Sequence, residues 1–126
     1  MKRGMAYKYL DNISRERFSM DELDYERALL VPQGLDAATT RKALEALRLA
    51  ISAIAESEFD AVHVGRAILS VARELEVETE PFAVAFCVAV TGRRKMAKLS
   101  EAMQALGKQG VLRRIEQAVG KLSVVA

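Results

Sequence analysis

The sequence predicts an all-α fold, a single compact domain of about five or six short helices, on three observations. Apolar residues recur at helical spacing in four stretches: Leu44, Leu47, Ile51, Ile54; Val64, Ala67, Ile68, Val71, Leu75; Leu99, Met103, Leu106; and Leu112, Ile115, Val119, Leu122. Ala, Leu, Glu, Lys and Arg dominate, and these residues lose least on entering a helix. Only two prolines and seven glycines interrupt the 126 residues. A chain of this length fits one domain, 1–126, and can bury a core without disulfides or metals.

The elements follow in order. Residues 1–18 are mixed and dotted with Tyr7, Tyr9 and Phe18; they read as a partly extended segment, the least defined of the chain. Ser19 reads as an N-cap, because "SMDE" places an acid three residues on and Asp21 and Glu22 in the first turn, where the helix dipole favours anions. That helix runs to about Leu30, and Pro32-Gln33-Gly34 makes a turn. Asp36 caps the next helix, whose inner face is Leu44, Leu47, Ile51 and Ile54 while Arg41, Lys42, Glu45 and Arg48 take up much of the rest. "ESEFD" closes it, and Asp60 caps a helix with Val64, Ala67, Ile68, Val71 and Leu75 inside. Glu74, Glu76, Glu78 and Glu80 then end that helix in solvent.

Pro81 suits a first helical turn, where its missing N–H costs nothing. Phe82 to Val90 is apolar on every side, which predicts a central, buried helix. Val84, Val88 and Val90 would also suit a buried strand, but every neighbouring element is helical and no strand partner is visible. Gly92 serves as the C-cap. Leu99, Met103 and Leu106 form a stripe ended by Gly107, and Gly110 separates it from the last stripe, off which Arg113 and Arg114 lie.

Charge is unevenly spread. The net charge is +2, yet residues 1–80 carry 11 Lys/Arg against 15 Asp/Glu, and residues 81–126 carry 8 against 2. Such asymmetry suits a polyanion-facing end; a solvated surface balanced across the fold would also give it. Four cations, Arg93, Arg94, Lys95 and Lys98, fall within six residues just after Gly92. Lys and Arg bind phosphate through charge, Arg also in a bidentate way, and the N-terminus of the following helix would add positive potential. Base stacking needs exposed aromatics, and none follows Phe86, which argues against sequence-free single-strand binding.

Little in the chain supports catalysis. His63 is the one histidine, so no His pair can hold a metal, and its place between Val62 and Val64 suits a structural or partly exposed ring. Cys87 is the one cysteine and lies in the apolar run, where a buried small hydrophobe is expected and a disulfide or thiolate zinc site is not. "LGKQG" fails as a phosphate loop, since Ala102 and Gln109 occupy the positions that require Gly and Ser/Thr. A non-enzyme without cofactor or metal is expected. No secretory stretch opens the chain, and its longest apolar run, Pro81 to Val90, has ten residues, too few to span a bilayer. The expectation is a cytoplasmic protein that does not enter a membrane.

"VAVTGR" (Val88 to Arg93), followed by "ALGKQGVLRRIEQAV" (Ala105 to Val119), resembles the C-terminal end of bacterial glutamyl-tRNA synthetases. Upstream, "LDYERALLVPQGLD" is similar to another segment of that family, and the helices between fit as well, so the resemblance covers roughly Tyr7 to Leu122. It implies the helical, anticodon-binding part of those enzymes without the Rossmann catalytic domain. "KMAKLS", Lys95 to Ser100, echoes the signature loop of that missing domain only by chance.

The resemblance implies tRNA as the partner and keeps Arg93 and Leu99 of the family pattern, while the charge reading adds Arg94, Lys95, Lys98, Lys108, Arg113 and Arg114 to the RNA-binding side. It also marks departures. Where the family has an arginine that reads an anticodon base, this chain has Cys87. Where the family has a short proline turn, Met96-Ala97-Lys98 stands, and Leu99 alone is kept. The expectation is a non-catalytic tRNA-binding module, with glutamate tRNA as the family's own substrate, whose anticodon readout is weakened and whose phosphate attraction is increased. The alternative is a diverged protein-interaction module that partners a synthetase catalytic domain, another translation protein or an acidic surface.

Overall fold

The computed structural model describes residues 27–123. Four α-helices make up most of this span: α1 (Ala37–Ser52), α2 (Ala61–Leu75), α3 (Thr79–Thr91) and α4 (Leu99–Ser123). Single 3-10 turns lie at Arg27–Leu30, Glu56–Glu58 and Met96–Lys98, and no strand occurs among the described residues. The helix expected from Ser19 falls mostly outside the described residues, as does the whole segment 1–18; of its expected span only Arg27–Leu30 is described, as a 3-10 turn.

The starts of α1 and α2 are built as the sequence suggests. The Asp36 carboxylate accepts from the Thr39 N–H at 2.7 Å, and the Asp60 carboxylate accepts from the His63 N–H at 2.9 Å. Each satisfies one of the amide donors that a helix leaves unpaired at its N-terminus. His63 also brings its ring Nδ1 to 2.8 Å from Asp60 Oδ1, so the lone histidine belongs to a helix cap.

The expected inner faces are the buried ones. Leu44, Leu47 and Ile51 of α1 and Val64, Ile68 and Val71 of α2 are buried, with Ile54, Ala67 and Leu75 packed partly against them. α2 stops without glycine. Glu76 takes the left-handed conformation (φ 58°, ψ 43°), so that the Val77 N–H reaches the Ala72 carbonyl at 2.9 Å and the Glu76 N–H reaches Arg73 at 3.3 Å. This pair of bonds closes a helix C-terminus in the same way as a glycine stop.

α3 is the axis of the fold. It packs on α4, α2, α1 and the turn at Arg27–Leu30. Phe82, Ala85, Phe86, Cys87, Val88, Ala89, Val90 and Thr91 are all buried, as a helix apolar on every side requires. The valines are helical because α1, α2 and α4 surround this segment with side chains and no strand edge is offered to it.

α1 lies along α4, the largest helix pairing. α4 is broken at Gly107, whose φ of 74° and ψ of 175° lie in a region essentially closed to side-chain-bearing residues. The break therefore falls at Gly107, and Gly110, expected as a separator, is buried inside the second arm. The inner face of that arm keeps Ile115 and Leu122 of the expected stripe and is widened by Val111, Arg114 and Ala118, which are buried, while Leu112 and Val119 pack half-buried at its edge.

Candidate nucleic-acid interface

The chain leaves the buried helix α3 at Gly92, which has φ 78° and donates its N–H to the Val88 carbonyl at 2.7 Å. Only glycine enters this left-handed region without a Cβ penalty. Thr91, the last helical residue, then ties the corner together. Its hydroxyl donates to the Cys87 carbonyl at 2.8 Å and accepts from the Arg93 N–H at 3.1 Å. The Arg93 carbonyl oxygen also lies 3.1 Å from the same hydroxyl. Thr-Gly-Arg is thus a hydrogen-bonded corner that fixes where the cations begin.

Beyond that corner Arg93, Arg94, Lys95, Met96, Ala97 and Lys98 are all exposed. Lys98 Nζ stands 3.9 Å from Glu101 Oε1. Among the described residues no carboxylate lies within 4.0 Å of the Arg93, Arg94 or Lys95 side chains, and residues 81–100 contain no Asp or Glu. The contrast with Arg48 is plain, since that guanidinium sits 2.6 Å from Glu45 and 3.9 Å from Glu116. Among the described residues the positive field of Arg93, Arg94 and Lys95 is therefore uncompensated, and such a field attracts anions.

Under the loop lies Cys87. Its side chain is fully buried, and Sγ donates to the Lys95 carbonyl at 3.3 Å. Burial pushes the Cys87 thiol up, although a contact with the Thr91 hydroxyl pulls the other way, so the sulfur keeps its proton at neutral pH. A buried, protonated thiol is a poor nucleophile.

Arg114 is not on this surface. It is 1% exposed, and its Nη1 donates to the Val90 carbonyl at 2.7 Å. This corrects its expected place among the RNA-facing cations: the guanidinium is committed to the negative end of α3. Leu99 is likewise buried, in the core. Lys108, just after the Gly107 break, is half-buried, while Arg113 is exposed. The Arg114–Val90 bond sets this part of α4 against the last turn of α3, two residues before Gly92.

Glu74, Glu76, Glu78 and Glu80 are exposed, and among the described residues no group of three or more His, Cys, Asp or Glu could hold a metal ion. No described helix is long and apolar enough to cross a membrane.

Residues 11–119 match the family described as an anticodon binding domain. The chain belongs to that family. It is 32% identical over 108 residues to a glutamate–tRNA ligase of Roseiflexus castenholzii, covering 86% of this chain and 21% of the ligase. It is also 32% identical over 103 residues to a glutamate–tRNA ligase of Dehalococcoides mccartyi (strain BAV1), covering 82% and 21%. The chain thus spans about a fifth of the length of the curated relatives it matches. No solved structure matches it.

The resemblance carried by "VAVTGR" therefore extends over most of this anticodon binding domain. What sequence reading missed was the part played by Thr91 and Arg114. The signal for Arg114 was present: Val111, Ile115, Ala118 and Leu122 are as evenly spaced as Leu112, Ile115, Val119 and Leu122, and the first set places Arg114 on the inner face. Gly110 and Ala118, both small, are buried on that face.

Proposed function

We propose that this chain is a non-catalytic tRNA-binding module that engages the RNA backbone through Arg93, Arg94, Lys95 and Lys98, taken as one unit over its 126 residues and working in the cytoplasm. The observation that carries this reading is the fixed corner at Thr91-Gly92-Arg93, which presents exposed cations with, among the described residues, no carboxylate beside the first three. Membership of the anticodon binding domain family supports tRNA as the polyanion, and the ligase relatives point to glutamate tRNA as the first to try. Arg113, and to a lesser extent Lys108, extend the same positive end; Arg114 and Leu99 support it from inside.

Anticodon readout is weakened in this reading. A side chain that reads a base has to reach solvent, and the one at position 87 is a fully buried thiol. The loss of one specific polar base contact removes about 1–3 kcal/mol of discrimination.

Filter binding of a glutamate tRNA transcript and an unrelated tRNA transcript at two salt concentrations tests the proposal. Both transcripts are expected to bind with similar affinity, and binding weakens steeply with salt because each neutralised phosphate releases a counterion. Replacing Arg93, Arg94 and Lys95 together by alanine should flatten that salt dependence. No binding at low salt would overturn the RNA reading in favour of an acidic protein surface.

A further inference from the structure

Cys87 and Lys95 are eight residues apart, on opposite sides of the Gly92 corner, yet the sulfur lies 3.3 Å from the Lys95 carbonyl oxygen. The near limb of the cationic loop is already held by Thr91, through the Arg93 N–H. The far limb, Arg94 to Lys98, has long side chains in solvent and would otherwise lose much conformational entropy on meeting a ligand. Cys87 sits in the fully buried stretch of α3, Ala85 to Thr91, so a bond from it transfers the rigidity of the core to that limb.

We propose that Cys87 is a positioning residue for the cationic loop: its thiol holds the Lys95 carbonyl against α3, so that Arg94 and Lys95 meet an RNA backbone as a pre-set pair. This inference rests on the RNA reading of the loop.

The free chain and its complex with a tRNA transcript give two independent readouts. In the free protein, Cys87→Ala should speed amide hydrogen exchange across residues 93–98 while leaving the centre of α3 as protected as before. In filter binding, Cys87→Ala should weaken the tRNA transcript about threefold, the low end of what one hydrogen bond contributes. Cys87→Ser, which keeps a donor, should bind more tightly than Cys87→Ala, although a buried hydroxyl is the worse of the two for packing. In a background with Arg93, Arg94 and Lys95 already alanine, Cys87→Ala should cost nothing further, because it acts through those side chains.

An equal loss in both backgrounds, or loop exchange that does not change, overturns the positioning role. Should the wild-type chain bind no tRNA transcript, the RNA reading fails and exchange alone decides whether Cys87 orders the loop. Should Cys87→Ala not fold, Cys87→Val, which restores volume without a donor, takes its place and carries the same expectations.

Discussion

The Arg114 guanidinium donates to the carbonyl oxygen of Val90 across 2.7 Å, linking residues 24 apart in sequence at the point where α3 ends. A helix leaves its last carbonyls without intrahelical partners and carries partial negative charge there. In α3 the Val88 carbonyl is taken by the Gly92 N–H and the Val90 carbonyl by Arg114, with the Thr91 hydroxyl on Cys87 one turn earlier. A buried cation is costly alone, but here it faces the one end of a helix that favours it.

Arg113 and Arg114 are therefore expected to fail differently. Arg114→Ala should lower stability by about 2–4 kcal/mol, through the lost charged hydrogen bond and the space it leaves. Arg113→Ala should stay within about 0.5 kcal/mol of the wild type and instead reduce the salt slope of tRNA binding by about 0.7–0.9. Urea unfolding and filter binding of the same two variants check both halves.

Glu101 is the one carboxylate within ion-pair reach of the cationic loop among the described residues. Its pairing with Lys98 is long and exposed, so it contributes little to stability, but it opposes an incoming phosphate. Glu101→Gln should tighten the tRNA transcript about twofold at low salt, the gain fading as salt rises. A titration at two ionic strengths that shows no gain at the lower one would count against the loop as the contact.

Glu76 occupies a left-handed position that glycine fills without strain, and it places an anion at the negative end of α2. The left-handed conformation costs a side-chain-bearing residue about 1–2 kcal/mol, against about 0.5–1 kcal/mol for the extra freedom of glycine in the unfolded chain. Glu76→Gly should then stabilise the fold by about 0.5–1 kcal/mol, read as a higher urea midpoint with unchanged m-value.

The two aspartate caps set an acid limit. The backbone N–H of Thr39 holds the Asp36 carboxyl below its usual 3.8, and that of His63 does the same for Asp60. A carboxyl whose folded pKa is depressed stabilises the fold above its unfolded pKa and loses that contribution as pH falls through the folded one. Melting temperature should therefore drop as pH falls below about 4. The double variant Asp36→Asn, Asp60→Asn, which keeps the caps without the charge, should show a shallower drop.

Much of the fold was legible because its periodicity is local. The caps at Asp36 and Asp60, the inner faces of α1 and α2 and the all-apolar α3 each follow from residues within a few turns of one another. The stop of α2 was less legible, since it rests on a glutamate where glycine is usual. In the second arm of α4 the stripe was read half right, Ile115 and Leu122 being buried, because two apolar stripes that share those residues competed there and Val111 and Ala118 are buried more deeply than Leu112 and Val119.

The candidate site divides along the same line. Sequence by itself determined the family, the helix that ends at Gly92 and the run of cations after it, since each depends on residue type and short-range order. Tertiary structure alone decided which cations face solvent. It turned Arg114 inward to the carbonyl of Val90 and set the Cys87 sulfur beneath Lys95, because a buried polar group must find its partner wherever packing brings one within 3 or so Å, and chain distance does not enter that requirement.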